Sequence, residues 1–202
     1  MVANEIYLVI CEGDSEVAYV QELNRFLNER GARIVFQAVN SGGGGFSTVR
    51  QCCRDRKTRR NGRTFVFADR DIYVRNDSRN SECYEREKDV LPPFLFQTWN
   101  FEDFLLLHFP SSVASEWRRV AMANGHLNNP MHASEYLPIY IDFCRKNAKA
   151  LCFDLPYEKG DMPFPLTDRH IANLRANIDL DFPRSEFAAL ILKVLERGVI
   201  RC

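Results

Sequence analysis

An α/β fold is what this 202-residue sequence predicts: a mostly parallel, Rossmann-like sheet flanked by helices, with a mainly helical C-terminal extension. Three observations carry that expectation. Apolar runs rich in β-formers recur at residues 6–11, 33–39, 64–68 and 93–99. Between them lie segments whose apolar residues repeat at helical spacing. Strand and helix therefore alternate over residues 5–109, which implies parallel strands joined by crossover helices.

The elements follow in order. Ile6-Tyr7-Leu8-Val9-Ile10-Cys11 is apolar throughout, the pattern of a strand buried on both faces. It stops at Glu12-Gly13-Asp14. Ser15 then offers a cap for a helix to about Arg30, with Val17, Val20, Leu23 and Leu27 on one face and Gly31 as its closing residue. A second strand at 33–39 leads into Ser41-Gly42-Gly43-Gly44-Gly45, which reads as a mobile loop. A basic helix is expected from Phe46 to about Arg60, and Asn61-Gly62 marks a turn. The third strand, residues 64–68, ends in Asp69-Arg70-Asp71. A polar stretch with a short helix between Ser81 and Val90 precedes the fourth strand at 93–99 and a helix from Phe101 to Phe109, which Pro110 ends. The core is thus expected over 5–109. Residues 110–202 form an extension packed on it, with helices near 112–123, 133–149 and 184–197.

Composition narrows the class. Hydrophobic residues make up 46% of the chain, enough for a full core at this length. The 27 basic and 27 acidic residues balance, which argues against a binder that works by net charge alone. Seven cysteines stand without any CxxC pair, so neither a zinc pattern nor a disulfide framework is expected, and they read as reduced thiols. The N-terminus lacks the basic and small-residue signals of a leader, and no apolar stretch approaches the roughly 20 residues of a membrane span. A cytoplasmic protein with no membrane association is the expectation.

The chemistry lies at the strand ends. In an open parallel sheet, ligands bind outside the carboxyl ends of the strands. Glu12 ends the first strand, Asp69 and Asp71 end the third, and Glu102 and Asp103 follow the fourth. Gathered carboxylates repel unless protons or a cation compensate. Magnesium, or manganese in its place, suits such hard oxygen ligands and leaves room for substrate phosphates. If strand geometry persists through Asp69-Arg70-Asp71, the two aspartates face the same way and Arg70 points elsewhere. Glu12 then completes the metal shell or serves as general base. Metal-dependent cleavage of nucleic acid phosphodiesters is the reaction that best fits this set, with Glu12, Asp69 and Asp71 as the catalytic residues.

Three stretches strengthen the reading. Cys11-Glu12-Gly13-Asp14-Ser15-Glu16, Phe65-Val66-Phe67-Ala68-Asp69-Arg70-Asp71, and Phe101-Glu102-Asp103-Phe104-Leu105-Leu106-Leu107-His108-Phe109 resemble the three motifs of RloB-like proteins, a Toprim-related group associated with bacterial restriction and defence. The resemblance covers roughly residues 5–109. It implies a Toprim fold, a glutamate (here Glu12) in acid/base work, and an aspartate pair (here Asp69 and Asp71) binding magnesium. It also implies an anti-phage role and, for small chains of this kind, a separate ATPase partner. The family's Asn-Pro before its third motif is replaced here by Thr98-Trp99-Asn100.

Other residues carry two readings each. Glu16 is a further metal ligand or a residue serving its helix's start. Glu102 is a further ligand candidate. His108, set among Leu105, Leu106, Leu107 and Phe109, reads as a core residue. The glycine run lacks the Gly-Lys-Ser/Thr of a phosphate loop, since Phe46-Ser47-Thr48 follows it. Arg50, Arg54, Arg56, Lys57, Arg59, Arg60 and Arg63 are either a solvated helix or a phosphate-tracking surface, the latter formed by Arg50, Arg54, Lys57 and Arg60 together with Arg70. Two alternatives to a nuclease remain. One is an interaction or effector subunit, with a homodimer or an ATPase as partner. The other is a magnesium phosphatase of the haloacid-dehalogenase kind, with Asp69 as nucleophile and Asp71 as acid.

Overall fold

The computed structural model describes residues 5–43, 45–58, 62–74, 79–151 and 162–198. Its chain order begins β1 (Glu5–Cys11), α1 (Asp14–Glu29), β2 (Ile34–Asn40), α2 (Phe46–Asp55), β3 (Thr64–Asp69) and α3 (Asp71–Val74). It continues α4 (Asn80–Glu87), β4 (Phe94–Gln97), α5 (Phe101–Leu106), α6 (Ser111–Ala123), α7 (Ala133–Lys146) and α8 (Ala148–Leu151). The last two elements are α9 (Asp168–Asn177) and α10 (Glu186–Gly198).

The four strands form one parallel sheet in the order β2-β1-β3-β4. Alternation along each strand sends successive side chains to opposite faces. Tyr7, Val9, Cys11 and Phe67 join the larger apolar cluster, under α1, α5 and the C-terminal helices. Ile10, Val66, Ala68 and Phe94 join the smaller one, under α2 and α4, with Phe46, Val49 and Tyr73. The sheet is therefore covered on both sides, which is why its strands read as apolar runs. Because α1 and α2 lie on opposite faces, the winding reverses beside β1. The crevice between β1 and β3 is the switch point of the sheet.

The described residues beyond 110 do not stand apart from this core. Phe67 of β3 stacks on Phe187 of α10 with ring centroids 4.0 Å apart. Phe164, Leu166, Leu174, Phe187, Ile191 and Val194 belong to the same apolar cluster as Val9 and Leu23. The edge of β4 is closed by the chain around the start of α10: Thr98 N–H donates to Arg184 O at 2.7 Å, Phe96 N–H to Glu186 Oε2 at 3.1 Å, and Gln97 forms an antiparallel bridge with Ser185. At the other edge, Asn24 of α1 pairs with both backbone groups of Phe36, accepting from its N–H at 2.8 Å and donating to its carbonyl at 2.6 Å. Both edges are thus partly occupied by the chain's own groups.

Several boundaries differ from the sequence expectation. Helix α1 begins at Asp14, with Gly13 rather than Ser15 as its cap, because Glu16 reaches back to accept the Gly13 N–H at 3.1 Å. Gly31 does close α1, at φ 65°, donating to Asn28 O at 3.0 Å. The basic helix is short: α2 ends at Asp55, and Lys57 takes a left-handed φ of 50°. Helix α5 ends at Leu106 rather than Phe109. Helix α9 has no counterpart in the sequence expectation, since its residues are largely polar; Thr167 caps it, accepting the His170 N–H at 3.3 Å.

The glycine loop is tied down over its described residues. Gly43 N–H and Ser41 Oγ both donate to Glu12 O, at 2.8 and 3.1 Å, and Gly42 N–H donates to Asn40 Oδ1 at 2.7 Å. Those N–H groups are already engaged, so the loop is a brace for the end of β1 rather than a phosphate cradle. Cys11, Cys53 and Cys144 are buried, Cys52 and Cys83 are partly exposed, and all five are free thiols. Among the described residues, no helix is long and apolar enough to cross a membrane.

Candidate active site

The strand order brings the acidic ends together. Register pairs Cys11 with Phe67 and Asp69 with Gln97, so Glu12, Asp69 and Gln97 stand side by side at the carboxyl edge. Glu12 N–H continues the ladder to Phe67 O at 3.1 Å. In return, Asp69 N–H donates to Glu12 Oε2 at 3.1 Å. Gln97 Nε2 donates to Asp69 Oδ1 at 2.8 Å. Gln97 thus positions the Asp69 carboxylate, while the Asp69 backbone N–H positions the Glu12 carboxyl.

The strand does not persist through Asp69-Arg70-Asp71. The chain turns at Arg70, and Asp71 opens α3. The turn is imposed by β4 and the residues after it: Arg70 N–H donates to Gln97 O and Asp71 N–H to Trp99 O, each at 3.3 Å. Trp99 makes its carbonyl available from a left-handed backbone, φ 60°, which an indole side chain rarely adopts. Its indole N–H reaches Leu127 O at 3.4 Å, tying this turn to the helical extension. Asp71 is buried and Arg70 exposed, so the two still face different surroundings, but through a turn and not through strand alternation.

The acids influence one another electrostatically. The Glu12 carboxyl is pushed up to about 8 by burial first, then by the Glu16 charge, with Asp71 adding to it and the Asp69 N–H opposing. Asp69 is held well above the usual carboxylate range by burial, and then by Glu16, Glu12, Asp71 and Glu102. All five of these acids, each singled out in the sequence, therefore bear on one region. Glu16 serves its helix's start by accepting the Gly13 N–H, and its charge also raises Glu12 and Asp69.

Asp103 goes the other way. It is fully buried and accepts from Trp117 Nε1 at 2.6 Å, His126 Nε2 at 3.2 Å and Tyr136 Oη at 3.4 Å. It is an internal anchor for α6 and α7, one helical step from Glu102. His108 is likewise internal. Tyr19 Oη lies 2.8 Å from its Nε2, and its Nδ1 lies 3.2 Å from Leu105 O, so the imidazole donates at Nδ1 and accepts at Nε2. Burial pushes its pKa down to about 3.

The donor set suits a divalent cation in its chemistry: five carboxylates, all hard oxygen, at the mouth of a parallel sheet. Among the described residues, no three His, Cys, Asp or Glu side chains are already gathered as a ligand group. The surroundings hold buried polar atoms without a hydrogen-bond partner among the described residues, namely Gln97 Oε1 and Tyr73 Oη. Tyr73 follows Asp71 by two residues, and its hydroxyl is pushed up by burial first and then by Glu12. Gln97 and Trp99 are absent from the candidates the sequence supplies. A glutamine at the end of an apolar strand was the available signal, because such a residue is rarely buried without a polar partner.

The basic residues divide. Arg50 pairs with Glu87 of α4 through Nε at 2.7 Å and Nη2 at 2.6 Å, and Arg54 reaches the same carboxylate at 3.5 Å. Arg63 lies at the opposite end of the sheet, 3.4 Å from Glu5. Lys57 and Arg70 are exposed, whereas Arg59 and Arg60 lie outside the described residues. No protein-family model matches this chain, and neither a curated protein nor a solved structure matches it.

Proposed function

We propose that this protein is a divalent-cation-dependent nuclease that hydrolyses nucleic acid phosphodiesters with magnesium, or manganese in its place. One observation carries the reading. Glu12, Glu16, Asp69, Asp71 and Glu102 bear on one region at the switch point of a parallel sheet, where burial and neighbouring charge raise Glu12 to about 8. Such an arrangement is unfavourable by itself and is relieved by a bound cation. The likeness of residues 11–16, 65–71 and 101–109 to RloB-like Toprim proteins supports the same reading and implies a defence role.

In this mechanism Asp69 and Asp71 would hold the cation, with Glu16 and Glu102 adding negative charge around it. The cation supplies charge neutralisation for the phosphate and a more acidic water. Glu12 stands beside Asp69 and takes the proton of the attacking water. The water oxygen bonds to phosphorus, the bond to the leaving sugar oxygen breaks, and that oxygen receives the proton that Glu12 took from the water. Exposed Arg70, between the two aspartates, is the nearest candidate for contacting the nucleic acid backbone, and Lys57 is a second.

The test is cleavage of a mixed panel of DNA and RNA with magnesium or manganese, comparing wild type with the Asp69→Ala/Asp71→Ala double variant. Cutting by wild type alone supports the mechanism and identifies the substrate. Equal cutting by both proteins removes it. Cutting by neither turns the reading toward an effector subunit that needs its ATPase partner.

A further inference from the structure

We propose that Gln97 is a positioning residue that sets cation selectivity: it holds one oxygen of Asp69, limits that carboxylate to a one-oxygen contact, and so favours magnesium over calcium. This role rests on the cation-site reading above and adds a determinant of which cation is taken.

Gln97 is fully buried at the end of β4, in register with Asp69. Its side chain is aimed at that carboxylate, with Nε2 donating to Oδ1 at 2.8 Å. The other half of the amide, Oε1, is buried with no hydrogen-bond partner among the described residues. A buried acceptor left unmatched is unfavourable, so the contact with Asp69 determines which way the amide faces. When Asp69 holds a cation it is ionised, and only the Nε2 half of the amide can then pair with it. The residue is also held in place at its backbone, where its carbonyl accepts the Arg70 N–H at 3.3 Å and the strand bridges to Ser185. Neither the strand nor the amide is free to follow Asp69 if the carboxylate rotates.

A carboxylate with one oxygen engaged in this way presents the other to a cation. Magnesium demands near-octahedral geometry and keeps several waters, which a one-oxygen carboxylate satisfies. Calcium takes more oxygen ligands and readily accepts both oxygens of one carboxylate. Releasing Asp69 from Gln97 therefore removes the constraint that disfavours calcium.

The experiment is calorimetric titration of magnesium chloride and, separately, calcium chloride into cation-stripped wild type, Gln97→Leu and Gln97→Asn, with melting curves of each in chelator. Residues that orient a metal ligand typically contribute about 10- to 100-fold in affinity. Gln97→Leu is expected to weaken magnesium within that range and to leave calcium unchanged or tighter, so the magnesium-to-calcium ratio falls about tenfold or more. Gln97→Asn keeps a polar strand end with a shorter reach; it is expected to behave alike and decides the question if the leucine variant does not fold. An unchanged ratio in a variant with native melting overturns the proposal. So does equal weakening of both cations, which is what a merely structural Gln97 gives. Wild type that binds neither cation overturns the cation site itself and this inference with it. Wild type that binds, with the ratio unmoved by substitution, leaves the site standing and removes only the role of Gln97.

Discussion

Asp69 N–H donates to Glu12 Oε2 at 3.1 Å, so the last residue of β3 holds the carboxyl that follows β1. Two acids separated by 57 positions thereby become one unit. The hydrogen bond stabilises the Glu12 carboxylate, while burial and the charges of Glu16 and Asp71 disfavour it, and the latter effects win. The protein carries this as a local conflict, of the kind that marks sites where function overrides stability.

The conflict predicts a gain of stability on disarming the site. Asp69→Asn keeps an acceptor for Gln97 Nε2 and removes a charge from the cluster. In chelator its melting temperature is expected to rise by about 2–4 °C, corresponding to about 1 kcal/mol at this chain length. The further rise that magnesium gives wild type is expected to vanish. A variant that melts below wild type in chelator contradicts the repulsion argument.

A second prediction concerns pH. Glu12 is raised from 4.5 to about 8 in the folded protein, so between those values the native state binds more protons than the unfolded state. Its contribution to stability is therefore complete below pH 4.5 and is lost as pH rises toward 8. His108, pushed down to about 3 from 6.5, acts in the opposite sense, losing stability as pH falls below 6.5. The difference between wild type and Glu12→Gln isolates the first effect. In chelator, wild type is expected to fall relative to Glu12→Gln as pH rises from 4.5 to 8, and saturating magnesium to flatten that difference. A difference that stays level in chelator refutes the raised carboxyl.

Adjacent acids are expected to respond in opposite ways. Asp103→Ala removes the acceptor shared by the Trp117 indole N–H, His126 and Tyr136 in the core, and is expected to destabilise by about 3 kcal/mol. Urea unfolding measures this as a lower midpoint at unchanged slope. Glu102→Gln leaves that network intact, so its stability is expected to stay within about 0.5 kcal/mol, while magnesium binding weakens. Similar destabilisation of both variants would mean that Glu102 is structural as well.

The basic surface can be tested through its neutralising partner. Glu87 holds Arg50 and Arg54. Glu87→Gln releases both guanidinium groups, and nucleic acid binding is expected to tighten. The slope of log affinity against log salt is expected to steepen by about 0.9 for each additional phosphate neutralised on duplex DNA. Unchanged affinity and slope would remove α2 from the interface.

Much of this organisation was legible locally. The apolar run of β1 implied a strand buried on both faces, and β1 is covered by two apolar clusters. Glu12, Asp69 and Asp71 were readable as strand-end acids because a chain leaving a parallel sheet does so at the ligand-binding edge. The phase of Glu102 against Asp103 was not readable. Consecutive residues on a helix lie about 100° apart, and only packing decides which of them meets the core.

By itself, the sequence determined the element types, the parallel sheet and the acids at its carboxyl edge, because hydrophobic periodicity and turn residues act over a few positions. Tertiary structure alone decided how those acids are held. Asp69 meets Gln97 across 28 positions, Asp71 is turned by the carbonyl of Trp99, and Arg50 is paired with Glu87 across 37. Each of these depends on strand order and on a partner's backbone or side chain. No local pattern encodes such a contact; it exists only once burial of the two apolar faces has brought the distant segments together.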